Sequence, residues 1–473
     1  MENFIQYIHQ FIITINGYLY YPILIILLLG GGIYFTLRTG FIQSHLSQTF
    51  DVLKEAPSEK DGVSSFQALM VSTASRIGTG NIVGASAAIC LGGYGAVFWM
   101  WIVALIGGAS AFIESTLAQI YKRKDDDGGS YGGPAYYIEA GLKNKPLALI
   151  FSMAIIACYA AGFNMLASYN IQSSFANYSF YDPTSTPIII GLVLAGITAS
   201  VIFGGAQRII KVTEKAVPLM GAIYLIVAII MVVLNVSELP HIFNKIFEDA
   251  FNFKAIFSGL AGSSLIHGIK RGLYSNEAGI GSAPNAAAAA DTSHPVKQGL
   301  VQMLSVFLDT IVICSATAFM SMSSGIEPTK ALSGAPFIQE SLATVFGPWG
   351  YYFITLSLSL FGITTLIGNL YYVDSNLNYI RQGFTTGKFK WIYKILCILL
   401  IFIGAIQEQT FVWDIADLLM GIMALINLPV ILILSKQALS CLKDYQRQLK
   451  MGQSPVFKVS SIGLNPDHFD FWK

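Results

Sequence analysis

Charge is what this chain has least of. Asp, Glu, Lys and Arg make up only 12% of its 473 residues, while 54% are hydrophobic. A soluble domain carries about 25% charged residues. Half that share cannot cover the surface of a soluble protein this large, so the chain is read as an integral membrane protein. The formal net charge is +1, and with no basic stripe and no RNA-binding motif a nucleic-acid partner is excluded. Cysteine is also sparse. Cys90, Cys158, Cys314, Cys397 and Cys441 form no CxxC pair, so neither a disulfide framework nor a metal centre is implied, and they read as small buried hydrophobes. The opening "MENFIQYIHQ" lacks Lys and Arg. The apolar run after it is expected to be a retained helix rather than a signal peptide.

Apolar runs, by contrast, are abundant. At ~20 residues per crossing, eleven spans are expected: 18–37, 66–91, 96–121, 147–176, 187–204, 213–235, 255–290, 297–322, 349–378, 391–407 and 411–435. None alternates with the period of a β-barrel strand. Taking alternate connections as two sets, one holds only Lys245, Lys254 and Lys330, while the other, which includes the C-terminal segment, holds nineteen Lys and Arg. The basic set is expected to face the cytoplasm. The N-terminus then lies outside, the C-terminus inside, and the site of action is the cell membrane. Residues 1–437 are expected to form the transmembrane unit, and 438–473 a cytoplasmic tail that reads as a solvated end.

Two spans interrupt themselves. The second contains "SRIGTGNIVGAS", with Gly78, Gly80 and Gly84 beside Arg76 and Asn81. The seventh, too long for one straight crossing, carries Lys270, Arg271, Asn276 and Glu277 at mid-segment, followed by Gly279-Ile280-Gly281-Ser282. Both strings read G-x-G followed by an amide or hydroxyl residue. A nucleotide loop is excluded, because Gly78-x-Gly80-x-x-x-Gly84 misses the dinucleotide spacing by one residue. No acid precedes Glu114 downstream, and no Lys-Ser/Thr follows. Backbone groups released inside lipid cost several kcal/mol each unless buried or bound, so a break is a site hypothesis. The two broken spans are five apart, which is the arithmetic of an inverted five-plus-five repeat, 66–235 and 255–435, with 18–37 as an additional N-terminal helix. Interrupted helices in corresponding positions of two halves point to a transporter's central site. The fold class expected is therefore an all-α polytopic membrane protein with broken second and seventh helices.

The stretches "IGTGNIVG", "GAVFWMWIVALIGGASAFIESTLAQIYK", "GGPAYYIEAGL" and "RGLYSNEAGIGSAPNAAAAADTSHPVKQGL" resemble the alanine or glycine:cation symporters, and the resemblance covers nearly all the spans. It implies sodium-coupled uptake of a neutral amino acid across a prokaryotic plasma membrane, with no cofactor beyond sodium as the coupling ion. In carriers of this architecture one sodium sits between the first broken helix and the eighth core helix. That places it here against Thr364 and Thr365 of the ninth span, with the carbonyls of Ala74 and Ile77 completing the set. Where the family's ninth span resembles T-I-L-G-W-S-Y-Y-G-E, this chain reads "TLIGNLYYVD", with Asn369 in place of Trp. Where its fourth resembles G-N-M-V-Q-x-N, this chain has "FNMLASYN", with Ala167 in place of Gln. If both positions line the pocket, a ring has been exchanged for an amide, which suits a longer polar substrate such as glutamine.

An amino acid zwitterion needs donors for its carboxylate and acceptors for its ammonium. A half-helix N-terminus supplies unpaired N–H groups and a positive dipole end, so Gly78, Thr79, Gly80 and Asn81 are expected to cradle the carboxylate. Tyr274, Ser275 and Asn276 at the other break would offer oxygens to the ammonium. Glu114, deep in the third span, has two readings: a brace that pairs with Arg76 or caps the loosened seventh span near Glu277, or a coupling group. Arg76 is likewise read as a gate anchor or a partner of Glu114. Asp309 and Asp374 carry the same two readings, brace or coupling group, and His267 reads as a polar packing residue rather than a ligand. A proton-coupled carrier using Glu114 is the alternative within the class. A membrane-embedded enzyme would need a clustered nucleophile and base, which the scattered acids and His267 do not form. A channel fits two broken helices less well than alternating access does.

Overall fold

The computed structural model describes residues 2–55, 57, 62–124, 129–203, 206–252, 264–381 and 387–473. Among them, eight helices are long and apolar enough to cross a membrane: Gln6–Arg38, Gly95–Ile120, Lys145–Ser173, Ser185–Ile202, Ile209–Leu234, Pro295–Met322, Pro348–Ile380 and Gln409–Lys450. These are the first, third to sixth, eighth, ninth and eleventh of the expected spans. The tenth is Gly387–Ala405. The second and seventh are each split, into Ser65–Arg76 and Gly80–Gly92 and into Ser264–Asn276 and Ala283–Ala289. The start of the expected seventh span, 255–263, lies outside the described residues, as do Lys60 and Lys254. Strand is confined, among the described residues, to a short antiparallel pair, Arg123–Lys124 with Ser130–Tyr131, and an isolated bridge between Val63 and Ala290.

Both ends of the chain depart from the hydropathy reading, and for one reason. The first helix starts well before residue 18 because its polar residues find partners on the eleventh span. His9 Nε2 and Asp414 Oδ2 are 2.8 Å apart, Asn16 donates to the Asp414 carbonyl at 2.9 Å, and Tyr20 donates to the Asp417 carbonyl at 2.9 Å. The last helix runs on to Lys450, past the expected end at 435, with Ala438, Leu439, Cys441 and Leu442 still buried. The segment beyond it is not a solvated end: Phe457, Val459 and Phe469 are buried.

The breaks sit where lipid cannot reach them. Residues 68–90 and 271–288 are buried without interruption, which is the condition under which irregular backbone is tolerated at membrane depth. Ser65–Arg76 begins on a reciprocal cap between Ser64 and Gln67, an arrangement that satisfies two otherwise orphaned N–H groups. The third span is the hub. From Gly107 to Ile120 every residue is buried, and the run Gly107-Gly108-Ala109-Ser110-Ala111 lets neighbouring backbones approach, as small residues do in membrane helices. The fifth and sixth spans lie at the periphery. Ile189, Leu192, Leu219, Ile226, Ile229 and Val233 are exposed, an apolar face too large for a soluble surface and suited to lipid.

Candidate substrate and ion site

Span 2 breaks at Ile77, whose ψ of 87° leaves the helix. The last carbonyls of the first half and the first N–H groups of the second are thereby released from intrahelical pairing. Asn81 closes the gap from below. Its Oδ1 accepts the Gly78 N–H at 2.9 Å, so that N–H is already engaged. Its Nδ2 donates to Asp309 Oδ1 at 2.7 Å, the Asp309 carbonyl at 3.0 Å and Ser275 Oγ at 3.2 Å. Ser275 Oγ and Thr310 Oγ1 donate to Asp309 Oδ2 at 2.5 and 2.8 Å. Asp309 is thus a fully buried carboxylate held by an amide and two hydroxyls, and it ties span 8 to both breaks.

The two breaks touch. A Cβ added at Gly80 would lie 2.9 Å from the ring of Tyr274 and 3.6 Å from the Ser275 Cα. The Thr79 hydroxyl is 3.4 Å from that of Tyr274. Asn276 turns its Oδ1 to the Ala278 N–H at 3.0 Å, while its buried Nδ2 has no hydrogen-bond partner.

Span 7 is unwound differently. Glu277, Gly279 and Gly281 all have positive φ, at 53°, 83° and 87°. The loop they form is pinned by Glu114 of span 3, which accepts the Gly279 N–H at 3.2 Å and the Gly281 N–H at 3.1 Å. Asn427 of span 11 donates to Glu114 Oε2 at 2.8 Å and to the Gly279 carbonyl at 2.9 Å, and accepts from Tyr137 at 2.5 Å. Of the two pairings open in the sequence for Glu114, the structure has the cap on span 7. Arg76 belongs instead with Glu277, at 4.0 Å, and with the Gln302 carbonyl at 3.4 Å, while Nε and Nη2 make no hydrogen bond. Glu277 also accepts from Ser75 at 3.1 Å and Ser282 at 2.6 Å.

Span 9 supplies the remaining wall. Thr365 Oγ1 lies 3.3 Å from the Ala74 carbonyl, at the open end of the first half of span 2. It presses so closely on Gly78 that no Cβ fits there. Thr364 turns its proton into its own helix, donating to the Phe361 carbonyl at 2.8 Å. Asn369 accepts from Ser75 at 2.7 Å and donates to Asn164 Oδ1 of span 4 at 2.9 Å. Asn164 Nδ2 is buried without a partner. Ala167 does not join them. It packs with Ile171, Leu194, Leu366 and Ile401, so the pairing of Ala167 with Asn369 in one pocket is corrected to Asn164 with Asn369. Asp374 is engaged away from the breaks, by the Tyr393 hydroxyl, and His267 packs its Cβ against Gly92.

An aromatic roof covers the breaks. The Tyr274 ring meets Phe163 and Trp413 edge-on, with centroids 4.8 and 5.1 Å apart. The Arg271 guanidinium stacks over Trp413 at 3.9 Å and pairs with Asp417 at 2.7 Å, where Lys270 also reaches at 3.3 Å. Sequence reasoning missed Asn164, Asn427, Trp413 and Asp417. The one available signal was a lone polar residue inside an apolar span, which does not say what it faces.

Two interrupted helices set against each other inside a bundle of inverted repeats define a secondary transporter of the five-plus-five class. The fold is similar to that of MhsT, solved in complex with L-phenylalanine. The TM-score is 0.54 at 15% identity, over 88% of this chain and 94% of that one. Residues 5–459 match the sodium:alanine symporter family, and the chain belongs to that family. It is 43% identical over 460 residues to the probable sodium/glutamine symporter GlnT of Bacillus subtilis (strain 168), covering 97% of this chain and 94% of the relative. It is 42% identical over 448 residues to the amino-acid carrier protein AlsT of the same organism, with 94% and 93% covered. It is 39% identical over 447 residues to the sodium/alanine symporter AgcS of Methanococcus maripaludis, with 91% and 96% covered. The chain is thus a multi-pass membrane transporter, not an enzyme.

Proposed function

We propose that this chain imports a neutral amino acid together with sodium by alternating access, and that glutamine is its preferred substrate. The observation that carries the reading is the meeting of the two breaks beside span 9. There Thr365 Oγ1 stands 3.3 Å from the Ala74 carbonyl, a pair of hard oxygens at the negative end of a half helix. Ala74, Ile77, Thr364 and Thr365 form the sodium site. Since Asn81 already holds the Gly78 N–H, Thr79 and Gly80 present the N–H groups for the substrate carboxylate, and Gly78 and Asn81 shape the turn. Tyr274, Ser275 and Asn276 supply oxygens for the ammonium. Asn369 and Asn164 take the far end of the substrate: an amide pair with one donor to spare matches a side-chain amide. Arg76, Glu114 and Glu277 support the breaks. Relatives named for sodium/glutamine and sodium/alanine symport support sodium coupling to a neutral amino acid, and the first of them supports glutamine.

In this reading 66–235 and 255–435 are the two repeats, the N-terminus lies outside and the C-terminus inside, and the charge asymmetry of the connections supports that orientation. Glu114 is a brace, because two backbone N–H groups of span 7 and the Asn427 amide already engage both of its carboxylate oxygens. The test is uptake of labelled glutamine, alanine and glycine into proteoliposomes under an inward sodium gradient or a pH gradient alone. Glutamine accumulation that needs sodium is expected. Accumulation driven by the pH gradient without sodium would replace this reading with a proton-coupled one.

A further inference from the structure

We infer that the C-terminal segment 452–473 is a latch that holds the tail-side end of the transport pathway shut and must let go in each cycle. The inference rests on the alternating-access reading above and adds a moving part that the sequence presents only as a polar end. After Lys450 the chain reverses at Gly452, and Gln448 fastens the return through two hydrogen bonds to Val456, each 2.9 Å. The segment then docks on the linker between the second half of span 7 and span 8. Phe457 N–H donates to the Ser293 carbonyl at 3.0 Å, and Ser293 Oγ donates to the Pro455 carbonyl at 2.9 Å. Val459 N–H closes the loop on the Trp472 carbonyl at 2.8 Å. The far end grips span 3. Trp472 Nε1 donates to the Gln119 carbonyl at 2.8 Å. Asp470 meets Arg123 at 3.3 Å and the Lys124 N–H at 3.2 Å. The Lys122 ammonium lies over the rings of Phe471 and Trp472 at 4.7 and 4.8 Å. Trp472 sits at φ 71°, a conformation bulky side chains seldom adopt, held because its ring, indole N–H and carbonyl are all engaged.

What lies beneath is the place where the pathway would have to open. Lys122 also donates to the Ala290 carbonyl at 3.1 Å, and Gln119 donates to the carbonyls of Ala287 and Ala290 at 2.5 and 2.8 Å. Ala290 ends the second half of span 7. It is bridged to Val63, one residue before the cap of span 2, and the Asp291 N–H donates to the Val63 carbonyl at 2.8 Å. The tail-side ends of both broken spans are therefore joined to each other and to span 3, and the tail clasps span 3 and the span 7–8 linker at once. Those two elements must part for the half helices to separate, so a docked tail biases the carrier against opening on that side.

The test bridges the tail to span 3 in the full-length chain. With Lys124→Cys and Asp470→Cys joined by a short, reducible bis-thiol reagent, sodium-driven uptake is expected to fall at least about fivefold, and reductant is expected to restore it. The native cysteines are buried, and the parent chain treated with the same reagent sets the background. A bridged carrier that transports at the unbridged rate overturns the latch. The opposite perturbation, Arg123→Asp, is expected to speed substrate exchange about threefold, with the wild-type rate returning in Arg123→Asp/Asp470→Arg. An unchanged rate in the single variant, or no rescue in the double, counts against it equally. A parent that takes up no amino acid under sodium would sink the carrier reading; a transporting parent matched by an equally fast bridged variant sinks the latch alone.

Discussion

The two breaks spell nearly the same string, Gly78-Thr79-Gly80-Asn81 and Gly279-Ile280-Gly281-Ser282, and use their glycines for different reasons. In span 2 neither glycine has positive φ. Gly78 and Gly80 are needed for room, because Thr365 and the Tyr274 ring occupy the space a Cβ would take. In span 7 the glycines are needed for conformation as well, since Gly279 and Gly281 are left-handed and Glu277 is forced to follow. The first break is shaped by its neighbours, Thr365 and Tyr274. The second is a formed loop tied down by Glu114, Asn427 and Ser282.

The sharpest way to break this comparison is to put the same side chain at matching positions. Gly281→Ala adds a Cβ 2.7 Å from Phe151 Cζ and 2.9 Å from Pro134 Cγ on a residue at φ 87°. It is expected to cost about 3 kcal/mol or more, seen as little monodisperse protein after solubilisation. Gly80→Ala should instead yield folded protein, at a cost of about 1–2 kcal/mol, that no longer transports. Equal yields for the two variants would erase the distinction. Next in size, Glu114→Gln removes one acceptor from the brace and should lower stability by about 2–3 kcal/mol, read as a thermal shift, while the uptake that remains still depends on sodium. Loss of sodium dependence with stability intact would make Glu114 a coupling group. Thr365→Ala should raise the sodium concentration for half-maximal uptake about tenfold, equivalent to about 1.4 kcal/mol. It should also lower the stabilisation that saturating sodium provides by about 1.4 kcal/mol, read as a smaller sodium-induced rise in melting temperature. The smallest effect belongs to the amide pair. Asn369→Ala should reduce the preference for glutamine over alanine about fivefold. Adding Asn164→Ala should change little more, since the two residues share one hydrogen bond.

Much of this molecule was legible in one dimension. Scarce charge and long apolar runs determined a polytopic helical protein, because crossing hydrocarbon requires length and apolarity and little else. The matching glycine strings located both breaks, and the five-span offset implied their inversion, since neither inference needs to know which helices are neighbours. Thr365 and Asn369 were found by resemblance and fall at the breaks. Questions of facing were decided only in three dimensions. Ala167 and Asn164 lie three residues apart on one helix, yet one packs into apolar neighbours and the other meets Asn369. Glu114 could have paired with Arg76 or with span 7, and packing selected two backbone N–H groups. The tail, polar on paper, buries Phe457 and Val459 because span 3 and the span 7–8 linker offer Lys122, Gln119 and Ser293 at the right spacing. Periodicity and composition report what a segment can be. Which partner completes it is a property of helices brought together from opposite ends of the chain, and that information exists only once they have packed.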